Sequence, residues 1–354
     1  MKQTLRAVLC ALLCLFLCGC SASSGEKQIF PICMSLDRLA DGRLQLGVQV
    51  SSMDQAQGYA VFSAAGGSFS EALEILGASM PYPLHFGQLR LCMLGYTLAT
   101  EQPLRPLLSP VAGLHTIRPD AAVTVAMGSA LETMTAQQPD LGVRLSTYLD
   151  QLLARLRQER LAPQETLTDV MTLLDSGWGD PVLGLCALNP EAGGEKGGKE
   201  NASGGQEGEQ TQSVFRPSGS IAIGEPSPGS DLPPSLTAGA LPRKGGNPVE
   251  YVGCITTGGG RLTGALTAAQ TRLFLLLRQE AKVTQISPQG ATIAIPRQVS
   301  QQDALELVTV LQQLGCDGLG TGAALATQYK DIVSMPARKP GELFPYMHLT
   351  ITYK

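Results

Sequence analysis

Three histidines, one tryptophan and an aromatic content of 5% are a thin supply for a chain of 354 residues. His85, His115 and His348 stand in unlike contexts, so no metal cluster or catalytic triad can be composed from them. GxSxG is missing, and "GGSFS" lacks the lysine of a phosphate loop. No cysteines are spaced CxxC, and the five beyond residue 20 (Cys33, Cys92, Cys186, Cys254 and Cys316) are odd in number and far apart. That argues against a zinc site or a disulfide framework and for scattered core thiols. Basic charge is also short: 26 Lys and Arg against 30 Asp and Glu give −4, where a nucleic-acid partner wants a basic patch. Nothing here implies a cofactor.

What the chain does have is a crowded start. Lys2 and Arg6 precede an unbroken apolar run from Ala7 to Leu17, too short for a membrane span of roughly 20 residues. A basic region, an apolar region and small residues at its end describe a secretory signal. Leu17-Cys18-Gly19-Cys20 then resembles the bacterial lipobox. On that reading residues 1–19 leave as a signal peptide, and Cys20 becomes a lipidated N-terminus bearing a diacylglycerol thioether. Cys10, Cys14 and Cys18 leave with the leader as small apolar residues. Residues 20–27, "CSASSGEK", follow as a small polar tether.

The body reads as α+β: several domains of mixed and antiparallel sheets with packed helices, and a disordered insert. "QIFPICMSL" and "GRLQLGVQV" pair as a hairpin through Asp41-Gly42. Asp37-Arg38 ahead of it reads as turn chemistry. "GYAVFSA" is a strand; Ser68 with Glu71 is a capping box opening a helix that Gly77 ends. "LRLCMLG" is apolar on both faces, which suits a central strand. "AAVTVAM" is another strand, and Ser129 with Glu132 a second capping box. Helices follow over about 143–160 and around 167–174. These make up an N-terminal α+β domain over residues 28–190. Residues 191–250 are Gly-, Pro- and charge-rich without apolar periodicity, a disordered insert. Residues 251–281 complete the middle domain with a strand, a glycine turn, a strand and a helix from Thr267. An abbreviated C-terminal α+β domain covers residues 282–354: the hairpin "KVTQISPQGATIAIP", a helix capped by Ser300, and the closing strand "YMHLTITYK". "DGLGTGAAL" imitates a dinucleotide loop but follows a helix, so it reads as a glycine-rich helix termination.

Taken in order, these blocks resemble the Ger(x)C spore germination lipoproteins, the C subunits of nutrient germinant receptors. The residues that carry the likeness are the lipobox, "MSLDRLADGRLQLGVQV", and "GGSFSEALEILGASMPYPLHFGQLRLCMLGYTLA". Arg118 with "PDAAVTVAMGSALETM", "GGGRLTGALTAAQTRLFLLL" and "LGCDGLGTG" with "LFPYMHLTITY" complete it. The resemblance implies a non-enzymatic subunit on the outer face of the bacterial cytoplasmic (inner spore) membrane. It further implies two polytopic partners, the receptor's A and B subunits. Arg118 is the candidate subunit contact. A solute-binding lipoprotein of a transporter is the alternative reading; the missing repetition of βαβ halves speaks against it. An envelope hydrolase has only the three histidines and many acids in its favour.

Overall fold

The computed structural model describes residues 28–51, 59–137, 143–192, 236–329 and 339–354. Leu17, Cys18, Gly19 and Cys20 lie outside the described residues, as does most of the Gly- and Pro-rich insert, residues 193–235.

β1 (Pro31–Arg38) and β2 (Leu44–Ser51) form the expected antiparallel hairpin, with Leu36 opposite Leu46. Gly42 takes φ +85° in the turn, a backbone region open to glycine. β3 (Tyr59–Gly66) adds to β2. α1 (Phe69–Ala78) starts where Ser68 Oγ accepts from Glu71 N–H at 3.2 Å. Glu71 returns its carboxylate to Gly67 N–H at 2.8 Å, one residue before the cap. The helix stops at Ala78, one residue past the expected Gly77, with Ser79 as its cap.

β4 (Leu91–Gly95) is buried at every residue and lies parallel between β1 and β5 (Ala122–Ala126). The connection from β4 to β5 holds two helices, α2 (Tyr96–Glu101) and α3 (Leu104–Ala112). Pro103 caps α3 and Pro106 sits in its first turn, where no backbone donor is needed; Pro110 lies inside the helix. After β5 come α4 (Ala130–Ala136), α5 (Leu145–Gln158) and α6 (Leu167–Ser176), then β6 (Leu183–Leu188) parallel to β5.

The sheet then continues across the insert. β7 (Val249–Gly258) pairs antiparallel with β6, and β8 (Arg261–Leu266) with β7. The result is one eight-stranded sheet, ordered β3-β2-β1-β4-β5-β6-β7-β8. The near end of the insert is tied down by Glu250, whose buried carboxylate accepts from Arg243 Nε at 2.7 Å and Asn189 Nδ2 at 2.6 Å. Gly239 N–H and Leu241 N–H complete its shell at 2.8 and 3.2 Å, so residues 236–250 wrap a buried charge that is fully paired.

Alternating residues along the parallel strands feed two cores. Leu36, Cys92, Leu94, Val123 and Val125 pack with Phe69, Leu98, Leu108 and Val170 on one face. Cys33, Leu91, Met93 and Ala126 pack with Met134, Leu149 and Leu156 on the other. This two-sided burial explains why the strand sequences are apolar throughout.

The remaining chain forms α7 (Ala268–Glu280), β9 (Lys282–Ser287), β10 (Gly290–Ile295), α8 (Gln301–Gln313), α9 (Thr321–Gln328) and β11 (His348–Tyr353). β9 and β10 are the expected hairpin, and β11 joins β10 in parallel to complete a three-stranded sheet. α7 and α8 pack over it through Phe274, Leu277, Leu307 and Leu311. The same cluster includes Val182, Cys254 and Leu266, so it is continuous with the large sheet. The fold is α+β with mixed parallel and antiparallel sheets.

Candidate functional site

Three polar constellations interrupt these apolar cores. The first corrects the turn reading of Asp37. Its carboxylate is buried and reaches α4 from β1: Oδ1 accepts from Ala130 N–H and Oδ2 from Leu131 N–H, both at 2.7 Å. Ser129 Oγ approaches Oδ2 at 3.4 Å while itself accepting from Glu132 N–H at 3.2 Å. The helix start at Ser129 is therefore capped twice, once locally and once across the fold. Gly95 makes room for this: a Cβ there would sit 2.1 Å from Asp37 Oδ1. Burial pushes the Asp37 carboxyl upward, opposed by these hydrogen bonds.

The second constellation corrects the reading of "DGLGTGAAL". The segment opens a helix instead of closing one. Asp317, fully buried, accepts from Thr321 N–H at 3.0 Å, Thr321 Oγ1 at 2.8 Å and Gly322 N–H at 2.6 Å, at the start of α9. Asp180 accepts in turn from Asp317 N–H at 2.9 Å and Gly259 N–H at 3.0 Å. The two aspartates thus join the β7–β8 turn, the segment before β6 and α9. Burial raises both carboxyls, Asp317 to about 6. Every carboxylate oxygen of the pair is occupied by a fixed donor, which suits a structural joint.

The third is a cleft of about 630 Å³ between α5, α6 and α7, lined by Arg157, Arg160, Glu165, Asp169, Arg278 and Gln279 among others. Arg278 is ion-paired with the buried Glu165. Arg160 binds Gln279 Oε1 through Nη2 at 2.9 Å, with Glu280 at 3.5 Å. Arg160 is the non-glycine residue with a left-handed backbone among the described residues, φ +54°. It ends α5 in a Schellman turn: Leu161 N–H donates to Leu156 O at 3.0 Å and Arg160 N–H to Arg157 O at 3.3 Å. Glycine is the usual occupant there, and an L side chain costs roughly 1–2 kcal/mol.

Arg118, the candidate contact, lies elsewhere, in the loop before β5. Its Nη2 donates to Asp120 Oδ2 at 2.7 Å and its Nε to Oδ1, a two-pronged pair that holds the Asp120 carboxyl below its usual range. The pair is half exposed. The loop neighbours the place where the chain enters the body. Ile29 N–H donates to Pro83 O at 3.0 Å, His85 N–H to Ile29 O at 2.8 Å and Phe86 N–H to Thr116 Oγ1 at 3.0 Å. Arg90 N–H donates to Ile32 O, and Ala122 N–H to Arg90 O.

The histidines do not converge. His85 caps a short 3-10 turn and packs on Phe30 at 5.2 Å, while His115 and His348 are exposed. All five described cysteines are free and buried, and burial pushes the Cys92 and Cys254 thiols up to about 12. They are protonated core side chains. Among the described residues no group of three or more His, Cys, Asp or Glu is placed to hold a metal.

Comparison with known proteins gives a domain. Residues 25–188 match the family described as the spore germination protein N-terminal domain. No curated protein matches the sequence. One solved structure, described as the crystal structure of the GerBC protein, is similar over 91% of this chain and 96% of its own, at 12% identity and a TM-score of 0.42. A likeness that slight carries no argument. The matched domain spans β1 to β6, including Asp37, Gly95 and Arg118, so this part of the chain is a spore germination protein N-terminal domain.

Proposed function

We propose that this chain is a lipid-anchored, non-enzymatic subunit of a spore nutrient germinant receptor. It is held on the outer face of the bacterial cytoplasmic (inner spore) membrane through Cys20, and it supports the polytopic A and B subunits. The observation that carries the reading is the domain match over residues 25–188. The lipobox Leu17-Cys18-Gly19-Cys20 supplies the anchor.

Geometry adds an orientation. Residues 20–27 reach at most roughly 28 Å when fully extended. Gln28, the first described residue, is therefore tied within that distance of the lipid surface. Next to it lie the loop around Pro83 and His85 and the loop holding Arg118. This end of the body is the one that meets the membrane and what is embedded in it. Arg118 keeps one edge of its guanidinium on Asp120, and its Nη1 has no acceptor among the described residues. Arginine of this kind is favoured at protein contacts.

The test is purification of the tagged full-length chain from spore membranes in mild detergent. The A and B subunits are expected in the eluate, identified by mass spectrometry. Arg118→Ala is expected to lower their recovery about tenfold, equivalent to about 1.4 kcal/mol, with the melting temperature of the chain little changed. Recovery without either polytopic subunit refutes the receptor reading. Full recovery by Arg118→Ala confines that residue to its own loop.

A further inference from the structure

The cleft between α5, α6 and α7 has no place in the receptor reading, yet its chemistry is specific. Six charged groups face it or its rim: Arg157, Arg160 and Arg278 against Glu165, Asp169 and Glu280. The carboxylates are engaged. Glu165, 4% exposed, takes Arg278. Asp169 closes the capping box of α6, its Oδ2 accepting from Thr166 N–H at 3.1 Å and Thr166 Oγ1 at 2.7 Å. Glu280 meets Arg160. The donors are in surplus. A guanidinium carries five N–H groups. Arg278 commits only Nη1, Arg160 only Nε and Nη2, and the Arg157 guanidinium forms no hydrogen bond or ion pair among the described residues.

The left-handed Arg160 backbone points the same way. A turn that glycine would make without strain is made by arginine, which puts a third guanidinium on this wall. The volume, about 630 Å³, falls in the range of small-ligand sites.

We propose that this cleft binds a small ligand through an anionic oxygen group, a carboxylate or a phosphate, held by Arg157 together with the uncommitted nitrogens of Arg160 and Arg278. It would make the C subunit a ligand-responsive part of the assembly.

The experiment is calorimetric titration of the full-length protein in detergent with three probes: succinate, inorganic phosphate and dihexanoyl-phosphatidylglycerol. Saturable binding of succinate or inorganic phosphate identifies a soluble anion, and binding of the short lipid alone identifies a headgroup. Arg157→Ala, which removes a guanidinium with no partner among the described residues, is expected to weaken binding at least about tenfold without shifting the melting temperature. Arg160→Gly, which suits the left-handed backbone, is expected to weaken it as well and to keep the fold. Absence of saturable binding by the wild type at about 10 mM of every probe overturns the proposal. So does binding within about twofold of wild type in the combined Arg157→Ala, Arg160→Gly variant.

Discussion

Cys20→Ala is expected to move the protein from the membrane fraction to the soluble fraction and to reduce the germination response to nutrient at least about tenfold. Two acyl chains hold a protein stably, each buried methylene contributing about 0.8 kcal/mol, and the substitution removes them at a stroke. Among the described residues no helix is long and apolar enough to cross a membrane. The body should remain folded, because its cores are built from residues 29 onward. Fractionation of spores expressing the variant, with the melting temperature of the released protein as a control, is the measurement. A variant that stays in the membrane pellet and germinates normally contradicts the anchoring role.

Asp317→Ala should have the largest effect on stability. It strands three donors, Thr321 N–H, Thr321 Oγ1 and Gly322 N–H, in a fully buried place. Each abandoned buried donor costs about 1–3 kcal/mol. The expected loss is about 3–5 kcal/mol, a fall in melting temperature on the order of 10 °C. A fall under about 2 °C would show that α9 finds another cap. The pH dependence follows from the raised carboxyl. Its ordinary value is 3.8 and its folded value about 6, so the folded state holds the proton more tightly. The contribution to stability is complete below about pH 4 and is lost as pH rises to about 6. In Asp317→Asn the group no longer titrates. The melting temperature of the wild type minus that of Asp317→Asn should therefore fall across this window and level off above it. A difference that stays constant from pH 4 to pH 7 contradicts the assignment.

Asp37 and Asp317 were both misread from sequence, Asp37 because it acts across the fold and Asp317 because its local capping of Thr321 and Gly322 is embedded in a glycine-rich run that reads as a helix end. Asp37 caps a helix that starts at residue 130, and Asp317 receives its structural partner Asp180 from far up the chain. Local pattern reading sees an Asp near a turn or a glycine run and assigns a local role. Nothing in the spacing shows that Gly95 is glycine because a carboxylate from β1 occupies the place of its Cβ. The legible features were those whose partners are adjacent. Asp41-Gly42 specified the first hairpin, and Ser68 with Glu71, Thr267 and Ser300 specified helix starts within a residue or two. α2 and α3 have no counterpart in the sequence reading; α3 carries Pro106 and Pro110 and follows Pro103, although Pro103 and Pro106 stand where a helix tolerates proline. The pairing of β7 with β6 across the insert is a long-range contact that no turn signal announces.

The candidate site divides in the same way. The ordered set of blocks in the first half of the chain was readable, and it agrees with the domain matched over residues 25–188; the lipobox lies outside the described residues. Arg118 was visible as a residue, but its position beside the point of chain entry became visible only through the hydrogen bonds around Ile29, Arg90 and Ala122. The arginine cleft brings the neighbouring α5 and α6 against α7, which starts at Ala268, far down the chain, and Arg160 depends on a backbone conformation that sequence does not declare for arginine.

The most direct measurement is the intact mass of the mature protein extracted from spore membranes, with fragmentation of its N-terminal peptide. The account predicts a chain that begins at Cys20 and carries a diacylglyceryl group on that sulfur. A mature chain that begins at another residue and bears no acyl group would contradict it.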